Sequence, residues 1–187
     1  MVSWALANAL NALYPDWNLA PIEAFLLVYG GTVTFVWTGE EKTYGAFTGL
    51  DAEDNTKISI SIYDTRSSVG AITHKVQWII HELGHAFSQA VGGTTENTQA
   101  FLDNNPRVGR DGLGNYTGYA GDTVDGSLYW QQNYSTAANE QFADMFIGWV
   151  YGQWQLDDYG DLAAPGIAMS NFMNGTMPYW LNLVVQQ

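Results

Sequence analysis

The 187-residue chain contains no cysteine. Disulfides and thiolate metal sites are therefore excluded, and any metal must be held by His, Asp or Glu. Basic side chains are scarce: 6 Lys and Arg stand against 19 Asp and Glu, a formal net charge of −13. Nothing supplies the cationic stripe that neutralises phosphates, which argues against nucleic acid and against an anionic membrane surface as partners. Charged residues of both signs together make up only 13%, whereas hydrophobic residues make up 47%. That balance is the reverse of a disordered chain and provides for a core. No run of about 18 apolar residues exists to span a membrane. Met1–Leu13 has neither a basic start nor an apolar run with a cleavage site, so it does not read as a secretory signal. Low lysine content, 20 Gly, 8 Trp and 11 Tyr nonetheless suggest a secreted domain, and an extracellular location is expected.

The length fits one domain, 1–187, and the pattern of elements divides it in two. In the first part, 1–91, residues 3–13 read as a short helix with Ser3 as N-cap, and Pro15 and Pro21 then break the chain. Glu23–Tyr29 is an apolar run that fits a strand or a helix. Thr32–Thr38 alternates as a strand ending near Gly39, Tyr44–Leu50 is a further strand, and Lys57–Tyr63 sets Ile58, Ile60 and Ile62 against Ser59, Ser61 and Tyr63. Thr73–Val91 is the strongest helix, with Val76, Ile79, Ile80, Leu83, Phe87 and Ala90 on one stripe and Gly92-Gly93 as its stop. In the second part, 92–187, residues 94–138 read mostly as loop, with a short helix near Thr98–Leu102. Asn139–Tyr151, amphipathic through Phe142, Phe146 and Trp149, and Ser170–Val185 are helices, the latter started or interrupted at Pro178. Strands first and helices after them give an α+β chain.

Chemistry concentrates in the strongest helix. His81-Glu82-Leu83-Gly84-His85 is an HExxH motif, whose histidines at i and i+4 share one helix face with Cβ atoms about 5–6 Å apart. Imidazoles so placed reach a single zinc ion at about 2.0–2.1 Å, and the intervening Glu82 is in place to act as general base. The apolar stripe faces the core, leaving the motif to face a cleft, and Gly84 leaves room for close approach along the same helix. A catalytic zinc takes three protein ligands. No histidine follows His85, and Ser88 and Val91 stand where a metzincin would have Gly and His. The third ligand is then a carboxylate, unless His74, almost two turns upstream of His81, serves instead. Among the downstream acids, Glu140 and Asp144 stand one turn apart on a helix, so that one binds metal while the other orients a ligand imidazole. Glu140 as ligand with Asp144 behind it is the expected arrangement, and Asp144 as the ligand is the alternative.

The HELGH helix followed by Glu140-Gln141-Phe142-Ala143-Asp144 resembles the gluzincin pattern HExxH…ExxA[DE]. His85 and Glu140 are 55 positions apart. This long spacing is more similar to the anthrax lethal factor-like peptidases than to the compact thermolysin arrangement. The resemblance covers roughly 57–91 and 134–151. It implies a zincin-like fold: a small mixed or antiparallel sheet, an active-site helix, and a mostly helical C-terminal part. It also implies a tyrosine seven residues before the third ligand as oxyanion donor. Asn133 stands there, and Tyr134, one place on, is the candidate, with Tyr129 and Tyr151 as substitutes.

These readings converge on a monomeric endopeptidase with one zinc ion. His81, His85 and Glu140 are the metal ligands, Glu82 and Tyr134 the catalytic residues, and Asp144 supports a ligand. The substrate is a peptide or protein lying extended, paired with an exposed strand edge at Lys57–Tyr63. The rival reading is a zincin-fold binding or regulatory domain without turnover, against which Glu82 speaks, because a silent site has no use for a base. A calcium site from Asp103, Asn105, Asp111, Asp122 and Asp125 is a side expectation, although no EF-hand spacing is present.

Overall fold

A computed structural model describes residues 1–30, 33–42, 46–50, 58–65, 72–108, 117–119, 137–156 and 164–186. Among them are six helices and a three-stranded mixed sheet, an α+β arrangement. Among the described residues no helix is long and apolar enough to cross a membrane.

The chain opens with α1 (Val2–Leu13), capped at Met1, so Ser3 lies inside the helix and does not cap it. The ambiguous run after Pro21 is a helix, α2 (Pro21–Tyr29). Proline at its first position loses no helical hydrogen bond, the Ala20 N–H donates to Glu23 Oε2 at 2.7 Å, and Gly30 (φ 66°) ends it. Strand β1 (Val33–Lys42) runs past the expected stop at Gly39, which takes a left-handed φ of 68°. A register irregularity between Trp37 and Glu41 absorbs the break, and the strand resumes pairing beyond it. Strands β2 (Ala46–Leu50) and β3 (Ile58–Thr65) complete the sheet in the order β1-β3-β2. β1 is parallel and β2 antiparallel to β3.

This order corrects one expectation. The Lys57–Tyr63 segment is the central strand, flanked on both sides, and presents no edge for a substrate; Lys57 itself lies outside the described residues. Its alternation reflects two faces and is silent about neighbours, because period 2 is the same in a central and an edge strand. The face carrying Ile60, which is fully buried, also carries Thr48 of β2 and Phe35 of β1 by register. Helix α3 (Ile72–Val91) packs on the β2 and β3 part of that face. Phe35 and Trp37 on β1 remain 46% and 55% exposed, beyond the helical cover.

Gly92 and Gly93, both with φ near 70°, stop α3 and start α4 (Thr94–Asn104), twice the length expected there. The sequence conceals it because its apolar side chains are few, chiefly Phe101 and Leu102. Helix α5 (Ala138–Tyr151) was expected to be amphipathic, but every residue from Gln141 to Gly148 is buried. It runs antiparallel to α3 through the centre of the molecule. Helix α6 (Ala164–Val185) starts before Ser170 and passes through Pro178. A mid-helix proline forfeits one backbone bond. The buried stripe of Met169, Met173, Met177, Trp180 and Leu181 holds this helix together across it. Phe142 links the layers, 6.3 Å from Phe87 of α3 and edge-on to Trp180 of α6 at 5.4 Å.

Candidate metal centre

Helices α3 and α5 bring the distant sequence segments together. Their approach is set by Gly84. A Cβ at that position would lie 3.0 Å from Ala143 Cα and 3.1 Å from Phe146 Cβ, so the glycine of the motif is the point at which the second helix is admitted. The room that Gly84 leaves therefore serves a neighbouring helix rather than its own. In this antiparallel seam His81 lies opposite Asp144, and His85 opposite Glu140.

The ring nitrogens His81 Nε2 and His85 Nε2 are 3.0 Å apart. Glu140 reaches both, with Oε2 at 3.2 Å from His81 Nε2 and Oε1 at 3.4 Å from His85 Nε2. Four-coordinate zinc, with bonds of about 2.0–2.1 Å at tetrahedral angles, holds its donors roughly 3.3–3.4 Å apart. The three side chains thus have the spacing, and the imidazole nitrogen and carboxylate oxygen atoms, that zinc takes. Their ligand atoms all lie within 4.8 Å of one another, the one such group among the described residues.

Behind the trio, Asp144 Oδ1 lies 2.9 Å from His81 Nδ1. The buried carboxylate accepts from Nδ1–H, which fixes the tautomer and turns the Nε2 lone pair towards Glu140 and His85. Burial by itself would lower the His81 pKa. The hydrogen bonds to Asp144 and Glu140 outweigh it and push the pKa up to about 10. Burial raises Asp144 to about 6 against the opposing pull of His81. Between those values the pair carries opposite charges. Glu140 is held well below the ordinary carboxylate range by its bonds to His81 and His85. Without a metal, then, the proton on His81 Nε2 is the cation that satisfies Glu140, in the place a metal cation would take.

Glu82, next to His81, is met from the sheet side of the helix. Thr48 Oγ1 on β2 lies 2.6 Å from Glu82 Oε2 and 2.9 Å from the Glu82 carbonyl. His81 and Glu82 are both buried, at 3% and 8% exposure, so the motif lies between two layers instead of on an open cleft wall. His85 and Glu140 are half-buried and form its accessible side. The reason is that α3 is covered by β2 and β3 on one flank and α5 on another. Sequence periodicity marks only the apolar flank.

Tyr134 and Tyr129 lie outside the described residues. Tyr151 is hydrogen-bonded to Gln77, a turn upstream of His81. Its position, 11 residues beyond Glu140, is about 16 Å further along α5. Its hydrogen-bond partner is thus Gln77 and not a member of the trio. His74 belongs to α3, and its side chain is not among those described. Of the expected calcium ligands, Asp103 accepts from Gln99 at 2.8 Å and Asn105 donates to the Phe101 carbonyl at 2.8 Å. Asp111, Asp122 and Asp125 lie outside the described residues. No pattern in the sequence marks Thr48, an ordinary threonine in a short strand, or Tyr119, which donates to Gln141 beside Glu140. No family profile, curated protein or solved structure matches the chain.

Proposed function

We propose that the chain is a zinc-dependent endopeptidase of gluzincin type with a zincin-like fold. One observation carries this reading: His81, His85 and Glu140 converge at ligand spacing, with Asp144 behind His81 and Glu82 next in the helix. A zinc ion held by the trio would polarise a peptide carbonyl and lower the pKa of water towards ~7.

The remaining steps belong to the side chains. Glu82 takes a proton from the attacking water and delivers it to the leaving amine, breaking the C–N bond. Asp144 keeps the His81 proton on Nδ1 so that the Nε2 lone pair is free to hold a metal. Tyr134 is the tyrosine proposed to donate a hydrogen bond to the oxyanion. An extended peptide pairs with β2, the outer strand next to α3, in place of the central strand that the alternation first suggested.

The test is digestion of a mixed peptide library by the zinc-loaded protein and by its Glu82→Gln variant. Cleavage by the wild type should fall by about 100-fold or more in the variant, as expected for loss of a general base. Cleavage that is equal in both proteins would contradict the role of Glu82. Full zinc loading without any cleavage would favour a zincin-fold binding domain.

A further inference from the structure

We propose that Thr48 is a positioning residue for the general base, linking the edge strand to the Glu82 carboxylate; this rests on the peptidase reading above. The two residues are 34 positions apart in sequence, on a strand and on a helix, yet both are buried and in direct contact.

The geometry is specific on both sides. A hydroxyl has one proton to donate, and the shorter of its two contacts, 2.6 Å, is to Glu82 Oε2, with the Glu82 carbonyl at 2.9 Å. A bond to a carboxylate is the stronger kind, so Oε2 is the main acceptor. Oε1 is then the oxygen that takes the proton. Threonine suits this task because its β-branch leaves χ1 little freedom, so the direction of the hydroxyl is set by the strand backbone. Glutamate has three side-chain torsions and needs such an anchor. The strand backbone is in turn fixed by pairing with β3, where Thr48 stands opposite the fully buried Ile60.

The consequence is a built-in register between substrate and base. In the proposed mode a peptide pairs with β2 on the side away from β3. The strand that aligns the scissile bond then also holds the carboxylate that acts on it. A displacement of the base of about 1 Å is enough to cost roughly 100-fold in rate.

The experiment compares Thr48→Val and Thr48→Ser with wild type, all loaded with zinc to equal content. Thr48→Val should lower kcat by roughly 10- to 100-fold while KM stays within about twofold, and Thr48→Ser should recover most of the loss. A second measurement avoids activity altogether. In metal-free protein, the shift in urea midpoint caused by Thr48→Val should shrink by roughly half or more in a Glu82→Met background, because the two side chains act as one unit. An unchanged kcat in Thr48→Val, in an enzyme that cleaves, would overturn the proposal, as would fully additive midpoint shifts. Coupled midpoints in a zinc-loaded wild type that cleaves nothing would instead remove the peptidase reading, and the catalytic role of Thr48 with it.

Discussion

At the scale of single residues, the site is a set of matched acceptors and donors, and each has a measurable consequence. Asp144→Asn removes the charge that holds His81 in its tautomer. Zinc affinity should fall about 10- to 100-fold, read by competition with a chromophoric chelator; an unchanged affinity would show that Asp144 does not support the ligand. The raised pKa of His81 gives a pH prediction for the metal-free protein. Its folded value of about 10 lies above the ordinary 6.5 of the unfolded chain, so the stability it contributes is complete below about 6.5 and is lost as pH rises towards 10. Asp144, raised to about 6, and Glu140, depressed, act at lower pH, and Tyr29, raised by burial, acts above this window. The thermal midpoint in chelator should therefore decline between pH 7 and 10, followed by differential scanning calorimetry. A midpoint that is flat or rising across that range would contradict the His81–Asp144 pairing. His81, Glu82 and His85 were legible as a motif because i, i+4 spacing is a local property. Glu140 and Asp144 were legible as acids one turn apart. Thr48 was not, because a hydroxyl that meets a carboxylate from another element leaves no periodic trace.

At the scale of elements, the decisive contact is the α3–α5 seam, and Gly84 tests it. Alanine normally gains up to about 1 kcal/mol over glycine within a helix. Here its methyl would meet Ala143 Cα at 3.0 Å, and overpacking costs about 1–3 kcal/mol. The second effect should win: Gly84→Ala should lower the stability measured by urea unfolding by ~1 kcal/mol and weaken zinc binding as Glu140 is pushed away. A gain in stability would mean that the helices do not approach so closely. The elements that the sequence disclosed are those with a strong period, α3 above all. Those it hid have physical reasons. Helix α4 has too few apolar residues for a stripe. Helix α5 is buried on all sides along its middle, so the stripe through Phe142, Phe146 and Trp149 understates its burial. Helix α6 continues through Pro178 because tertiary packing outweighs one lost hydrogen bond. Strand order is a matter of long-range pairing that alternation does not encode, and this is why β3 was expected at an edge and lies at the centre.

At the scale of the molecule, the core is built of apolar side chains and not of the proposed metal ligands. Leu6, Leu10, Phe146, Met169, Met173 and Trp180 are all essentially inaccessible and belong to α1, α5 and α6, which pack through apolar side chains. Removal of zinc by chelator should therefore leave a cooperative unfolding transition at a lower midpoint, unlike small zinc-folded domains that collapse without metal. Restored zinc at about 1,000 times its dissociation constant should return roughly 4 kcal/mol. The measurement that bears most directly on the central claim is zinc stoichiometry by native mass spectrometry, on the wild type and on Glu140→Gln. The wild type should carry one zinc ion per chain, and Glu140→Gln should lose it under a chelator concentration that the wild type withstands. A well-folded wild type that takes up no zinc, or a Glu140→Gln variant that retains it equally well, would contradict the assignment of this site.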